Sequence, residues 1–405
     1  MSRKSILHLD LDTFYVSVER KIDSRLKGKP ILVGSNSKRG VVAACSYETR
    51  SYGVHSGMSM QYAKQLCPEA VVIKGNAGTY SRHSEEVTEI LEESMPIFEK
   101  ASIDEFYADL SGMDKFYGCA KYAAEVREKI IRETGLPISS GLSINKVVSK
   151  IATGEAKPNN QYIVNNGAEL DFLAPLSIRK IPQVGDKNFH ILRELGLRRI
   201  WNIQDTDREA LVAVMGKNGG LIWDRAHGLD LRPIVPFHAR KSISMERTFE
   251  ENTMDFKLLE NILTAMTENL AFQLRRGNKL TGTIAVKIRY SSHNTFTKQR
   301  RIPLSNMDYI LIPHIIDLYR KLAIHRYSVR LIGIRFSAIA SGTHQIDLIN
   351  DDERILNLYN RMDRMRNKYH DRTLYRANSM GVKTIGKVFN PFNGKPPVVL
   401  AYRKV

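Results

Sequence analysis

Apolar and polar residues alternate through Ile6-Leu7-His8-Leu9-Asp10, and a period of two predicts a strand over 5–10 with one face in a core. An apolar-periodic stretch predicts a helix from Phe14 to Leu26, stopped by Gly28-Lys29-Pro30, and β-rich runs at Pro30–Gly34 and Val41–Ser46 predict two more strands. Helical periodicity follows at 59–66 and 79–94. Phe98–Ala101 and Phe106–Leu110 read as two arms of a hairpin, then 115–134 as an amphipathic helix, Ile138–Ser143 as a strand and Asn145–Ala152 as a helix ending before Lys157-Pro158. Strands and helices mixed in this order predict an α+β layer.

From Leu170 to Gly228 the pattern changes to short helices with tight turns, among them Ile181-Pro182-Gln183-Val184-Gly185-Asp186-Lys187. A glycine-bearing turn between two short helices points backbone N–H groups outward, which suits a nucleic-acid phosphate. Residues 233–240 read as a linker into a second α+β unit: strand Lys241–Thr248, helix 254–276, strands Gly282–Ser291 and Thr297–Leu304, helix 308–323 and strand Ser328–Ile339, a βαββαβ order. In Ile284-Ala285-Val286-Lys287-Ile288-Arg289-Tyr290 the apolar positions alternate with Lys287 and Arg289, so one sheet face can bury while the other offers cations. After Ser341-Gly342 the chain turns polar and basic, with a helix expected at 352–367 and much of the remainder expected to be mobile.

Composition narrows the class. A chain of 405 residues with 42% hydrophobic and 26% charged residues exceeds one comfortable core. No apolar run approaches the roughly 20 residues of a membrane span, and the polar start runs straight into a strand, so a cytoplasmic, membrane-free protein is expected. Cys45, Cys67 and Cys119 are odd in number and lack CxxC spacing, which argues against a disulfide framework or a zinc site. The net charge of +18 is unevenly spread. Residues 1–167 hold 22 basic against 20 acidic side chains and 168–234 hold 10 against 9, whereas 235–340 hold 17 against 8 and 341–405 hold 12 against 6. The basic surface therefore lies apart from the carboxylate-rich segments, as in a protein that tracks a polyanion.

The carboxylates carry the chemistry. Asp10 and Asp12 end one strand, and Asp104 and Glu105 sit at the bend of the hairpin. Gathering them costs repulsion unless a cation neutralises them, and Mg²⁺ suits hard oxygen ligands while leaving positions for water and phosphate oxygens. Phe14-Tyr15 places aromatic rings beside whatever is bound there; Tyr47 and Arg50, three apart, and Lys157 could meet phosphate oxygens.

In order, the runs HLDLDTFYVSVE, VVAACSYETRSYGV, ASIDEFYADLS and GLSINKVVSKIATGEAKPNN, followed by the IPQVGDKNFHILRELGLRRI turn and KSISMERTF, resemble the Y-family of translesion DNA polymerases over roughly residues 5–340. The resemblance implies a multidomain right-hand polymerase: a ferredoxin-like palm (1–13 and 78–167), small fingers (14–77), a helical thumb with a helix–hairpin–helix (168–234), a linker (235–240), a βαββαβ little finger (241–340) and a basic tail (341–405). It further implies that Asp10, Asp104, Glu105 and the Leu11 carbonyl hold two Mg²⁺ ions, with Asp12 beside them and Ser102 buttressing the turn. Tyr15, supported by Phe14, would be the steric gate that rejects a 2′-hydroxyl, and Tyr47, Arg50 and Lys157 would bind the triphosphate. Primer–template DNA would lie against Val184, Gly185, Lys187, Lys287 and Arg289. The expected activity is addition of deoxynucleotides to a primer by a monomer of low fidelity without proofreading, able to copy damaged bases. Gln345-Ile346-Asp347-Leu348-Ile349 resembles a sliding-clamp docking peptide through Gln345, Leu348 and Ile349. Two departures from the family pattern are Gln183, where glycine is common, and Ala44, where a hydroxyl residue is common. A nucleotidyl cyclase would explain the carboxylates but not the helical turn, the gate or the basic second unit; a non-catalytic DNA scaffold would not need all three acids.

Overall fold

The structure, a computed structural model, describes residues 4–113, 118–323, 327–342, 352–369, 373–380 and 382. The chain divides into two compact units between His238 and Ala239.

The first unit is built on a five-stranded sheet of order β5-β6-β1-β7-β8, from β1 (Ile6–Leu11), β5 (Phe98–Lys100), β6 (Glu105–Asp109), β7 (Ile138–Ser143) and β8 (Gln161–Ile163). β1 lies antiparallel between β6 and β7, pairing Asp10 with Glu105 on one side and with Ser139 on the other. The alternation in β1 sorts its residues by face. Leu7, Leu9 and Leu11 join Phe106 and Ala108 in a core completed by α4 (Ala77–Ser94) and α5 (Cys119–Thr134). His8 and Asp10 face the other side, where α6 (Lys146–Ala156) packs. Gly141 on β7 permits that packing: a Cβ there would stand 2.2 Å from the Ser149 carbonyl oxygen. The strand order of β1, β5, β6 and β7 is the ferredoxin-like one, with β8 added parallel at the edge.

α1 (Phe14–Ile22) leads from β1 into a small three-stranded sheet, β3-β2-β4, of β2 (Ile31–Gly34), β3 (Val42–Cys45) and β4 (Val71–Ile73), with α2 (Tyr47–Arg50) and α3 (Met60–Leu66) beside it. The helix expected to reach Leu26 ends at Ile22, because the Asp23 side chain accepts from Arg25 N and starts a separate short turn. The three-residue strands β4 and β8 carry too little pattern to be foreseen. Residues 169–226 supply α7 (Glu169–Leu173), α8 (Asp186–Glu194), α9 (Ile200–Gln204), α10 (Arg208–Met215) and α11 (Lys217–Ala226), sharing a core with Val147, Val148 and Ile151 of α6.

The second unit holds an antiparallel sheet of order β11-β10-β12-β9, from β9 (Ser242–Thr253), β10 (Lys279–Tyr290), β11 (Thr295–Ser305) and β12 (Val329–Ser341). α12 (Phe256–Arg276) and α13 (Asp308–Leu322) cover one face over Ile284, Val286, Ile288, Ile332, Ile334 and Phe336. Both units share a βαββαβ element order, yet their sheets differ: the long strands β10 and β12, apolar at core-facing positions, take the centre here, whereas β1 and β6 do so in the first unit.

The helix expected at 352–367 is present in the basic tail. α14 (Asp352–Tyr369) docks on unit two with Tyr359, Arg366, Ser379 and Val382 buried. Arg275 of α12 donates to Asp363 at 2.6 Å and to Asp308 at 2.7 Å, and Glu268 accepts from Arg376 N and Ser379 Oγ. Buried ion pairs of this kind leave no trace in hydrophobic periodicity, so the packing of this helix is not legible in the sequence.

Candidate active site

Directly opposed residues on antiparallel strands project to the same face, so the Asp10–Glu105 pairing sets two carboxylates side by side on the α6 face. Leu11 N donates to the Asp104 carbonyl at 3.0 Å, tying the third acid to the end of β1. Ser102 holds the hairpin bend: its hydroxyl bonds the Asp104 carboxylate and accepts from Glu105 N at 2.9 Å. Ser84 of α4 adds a hydrogen bond to the Ile103 carbonyl. Sequence alone placed these acids near one another; the register and the buttressed bend bring them together.

Two lysines answer them. Lys157, just beyond α6, lies 2.5 Å from Asp10 Oδ1, and Lys150, one helical heptad earlier, contacts both Glu105 oxygens at 2.6 and 2.5 Å. Sequence reading had Lys157 but missed Lys150, which on a helix looks like an ordinary solvated residue. Beneath the pair His8 is fully buried; its Nδ1 meets Thr153 Oγ1 at 2.8 Å and its Nε2 stands 3.9 Å from Glu105 Oε2 without a hydrogen-bond partner. Burial raises the Asp10 pKa to about 6 against the pull of Lys157, and burial also raises that of Asp104. For Glu105 burial acts upward, but His8 and Lys150 outweigh it and bring it down to about 2. Burial holds the His8 imidazole down at about 4, so the ring is neutral at pH 7.

Asp12, left without a settled role by the sequence, proves to be a hub. It is 1% exposed and accepts from Tyr47 OH at 3.1 Å, Ser139 Oγ at 2.8 Å and Asn159 N at 2.6 Å. Its acceptor sites are therefore turned to the parts that place Tyr47 and Lys157. Thr13 follows in the left-handed region, φ 41° and ψ 47°, unusual for a β-branched residue. That one residue turns strand β1 into helix α1.

Phe14 is buried in the core, and Tyr15 is half-buried with its ring stacked on Tyr80 at 4.1 Å and 12°. Tyr80, on α4 and distant in sequence, was not foreseen; its hydroxyl donates to Glu19 at 2.5 Å. Tyr47 starts α2 behind the Ser46 cap, and the Arg50 guanidinium lies 5.1 Å from its ring centre while remaining exposed. Ala44 is half-buried on β3 and offers no hydroxyl.

The fit to divalent cations is one of donor chemistry: hard carboxylate oxygens, converging from two paired strands. Among the described residues no three acidic, histidine or cysteine side chains stand close enough to enclose an ion as they are placed; the lysines take those oxygens instead.

The proposed nucleic-acid contacts lie in separate places. The Val184 side chain is buried and its N–H donates to the Ile181 carbonyl. Gly185 and the exposed Lys187 open α8, whose first turn presents N–H groups. Gln183 takes φ 71°, a conformation glycine adopts freely, and its side chain accepts from Arg225 at 2.8 Å. On the helix-free face of unit two, Lys287 reaches across Gly333 to pair with Glu246, and Arg289 donates to Thr295 at 2.8 Å. The exposed Arg335 and Arg301 share that face and were missed, since both sit in strands whose register sequence does not reveal. Gln345, Leu348 and Ile349 lie outside the described residues. Among the described residues no helix is long and apolar enough to cross a membrane.

Comparison with known proteins places this geometry. Residues 9–154 match the impB/mucB/samB family and 240–348 match that family's C-terminal domain. The chain is 36% identical over 373 residues to a DNA polymerase IV of Dehalococcoides mccartyi, covering 91% of this chain and 96% of that one. A DNA polymerase IV of Methanoculleus marisnigri is 35% identical over 341 residues, covering 83% and 95%. Among solved structures, a Y-family DNA polymerase chimera of Dbh and Dpo4 superposes with a TM-score of 0.73 at 25% identity, covering 84% of this chain and 100% of its own. An insertion ternary complex of Dbh DNA polymerase matches with a TM-score of 0.60 at 25% identity over the same shares.

Proposed function

We propose, for a chain that belongs to the Y-family of DNA polymerases and to its DNA polymerase IV kind, a two-metal mechanism centred on Asp10, Asp104 and Glu105. The protein is a DNA-directed DNA polymerase. The three acids and the Leu11 carbonyl would hold two Mg²⁺ ions, which supply a more acidic primer 3′-hydroxyl and charge stabilisation at the leaving pyrophosphate. Tyr47, Arg50 and Lys157 bind triphosphate oxygens and orient the α-phosphorus. Tyr15, backed by Phe14 and stacked on Tyr80, closes the space that a 2′-hydroxyl would need. In this reading the five-stranded sheet is the palm, residues 14–77 the fingers, 168–234 the thumb and 241–340 the little finger. The α8 turn with Gly185 and Lys187, and the open sheet face with Lys287, Arg289, Arg301 and Arg335, grip the DNA backbone. Small fingers enclose the templating base loosely, so damaged bases are copied at low fidelity and without proofreading, by a cytoplasmic monomer. A sliding clamp docks at Gln345, Leu348 and Ile349.

The observation that supports this most is the paired placement of Asp10 and Glu105, with Asp104 at the adjoining bend and Tyr15 in the first turn of α1. Primer extension on undamaged and damaged templates tests it. Asp104→Ala should abolish incorporation; a variant that retains full activity would remove Asp104 from the site.

A further inference from the structure

The acids of the site are not waiting with open lone pairs. Lys157 Nζ rests 2.5 Å from Asp10 Oδ1 and 4.0 Å from Asp12 Oδ1. Lys150 Nζ spans both oxygens of Glu105 at 2.6 and 2.5 Å. These are not loose surface pairs: the side chains of Lys157, Asp10, Lys150 and Glu105 are 26%, 15%, 34% and 26% exposed. The close approach of α6 to β7 at Gly141 fixes the helix that carries Lys150 and ends at Lys157. An ammonium on these oxygens uses the positions a divalent cation needs, because each carboxylate offers few lone pairs on one side.

We infer that Lys150 and Lys157 are built-in counter-ions that hold the acids together in the absence of metal, must be displaced for divalent cations to enter, and thereby couple cation binding to nucleotide binding. The inference rests on the metal site proposed above. Lys157, once released from Asp10, stays within reach of the triphosphate, so a nucleotide that captures its ammonium removes the competitor for the cation. Linkage makes the effect reciprocal: the cation frees Lys157 for the nucleotide to the same extent. The metal-free protein should consequently bind divalent cations weakly alone and strongly only together with nucleotide. Both lysines act through the carboxylates and are positioning residues here.

The test is Mn²⁺ binding to the full chain without DNA or nucleotide, followed by electron paramagnetic resonance, for the unaltered protein and for Lys157→Met, Lys150→Met and Asp104→Ala. Removing either ammonium should tighten Mn²⁺ binding by roughly threefold or more, since one nearby positive charge no longer opposes the ion, whereas Asp104→Ala should weaken it. Equal or weaker binding in both lysine variants, at unchanged melting temperature, overturns the inference. A second readout needs no variant: Mn²⁺ should raise the rate at which an amine-acylating reagent labels Lys150 and Lys157, read by mass spectrometry against the remaining lysines. Unchanged labelling at saturating Mn²⁺ also overturns it. If the unaltered protein shows no Mn²⁺ binding that depends on Asp104, the metal site itself fails, a result distinct from either of these.

Discussion

Replacing Asp12 with alanine should damage stability and nucleotide binding while leaving the metal requirement nearly intact. The carboxylate is 1% exposed and receives three hydrogen bonds, from Tyr47, Ser139 and Asn159. A hydrogen bond to a charged acceptor contributes about 1.5–3 kcal/mol. Losing three does not sum simply, because removal of the charge also relieves its desolvation; a net loss of about 3–5 kcal/mol is reasonable, mostly from the Ser139 hydroxyl and the Asn159 N–H left without an acceptor. For a unit of this size that lowers the melting temperature by roughly 10 °C. Two of the three donors fix elements meant for the triphosphate, Tyr47 itself and the turn after Lys157, so the KM for an incoming deoxynucleotide should rise on the order of tenfold. Steady-state primer extension at varied nucleotide and varied Mg²⁺, with thermal melting in parallel, separates the effects. Were Asp12 a metal ligand, the Mg²⁺ half-saturation would move more than the nucleotide KM; that outcome, or an unchanged melting temperature, would refute the hub.

Tyr15→Ala should admit ribonucleotides, and Tyr80→Ala should do so partially by freeing the Tyr15 ring from its 4.1 Å stack; single-ribonucleotide incorporation reads both, and unaltered exclusion in the pair of variants counts against the gate. The pH dependence has two opposing parts. His8 is held neutral down to about pH 4, so the unfolded chain takes its proton first and stability falls by about 3 kcal/mol as pH drops from 6.5 to 4. Asp10, raised to about 6, takes its proton first in the folded state, so its contribution rises as pH drops from 6 towards 3.8. His8→Gln should therefore gain about 3 kcal/mol relative to the unaltered protein between pH 7 and pH 4 in metal-free buffer; a pH-independent offset in denaturant melts would show that His8 does not titrate this way. Arg275→Ala leaves Asp308, 1% exposed, without its partner, and should cost unit two about 3–5 kcal/mol in chemical unfolding; a loss under 1 kcal/mol would mean the network is spare.

The elements that strand alternation marks, β1 with its leucines inward and β10 with its lysine and arginine outward, were legible because the period of two survives translation into three dimensions. The acids were legible for the same reason: Asp10 and Glu105 terminate patterned strands. Lys150 and Tyr80 were not, since a lysine or tyrosine on a helix has no signature until the partner helix or strand is placed, and Gly141 shows its purpose only when α6 lies on it. Which amides of the turn at Val184 and Gly185 face outward is not legible, because a turn's outward amides cannot be told from its inward ones without φ and ψ. The helix at 352–367 was legible but its docking was not, because charge pairing between Arg275, Asp308 and Asp363 reads, residue by residue, as solubility. Periodicity alone does not give strand order, since two segments with one element order closed into two different sheets; the ferredoxin-like order of the first came only from the resemblance.

Asp12 and Thr13 alone separate the strand that ends in Leu11 from the helix that begins with Phe14 and Tyr15, and Thr13 is the left-handed residue of the two. A single left-handed residue is a corner with no slack. In the proposed polymerase, the place where the phosphate is attacked and the place where the sugar is inspected are therefore measured from one peptide unit. Neither can drift while the other stays true, so an insertion at this corner would disturb reaction and selection together, whereas lengthening the loops on the far side of the fingers would leave that ruler unchanged.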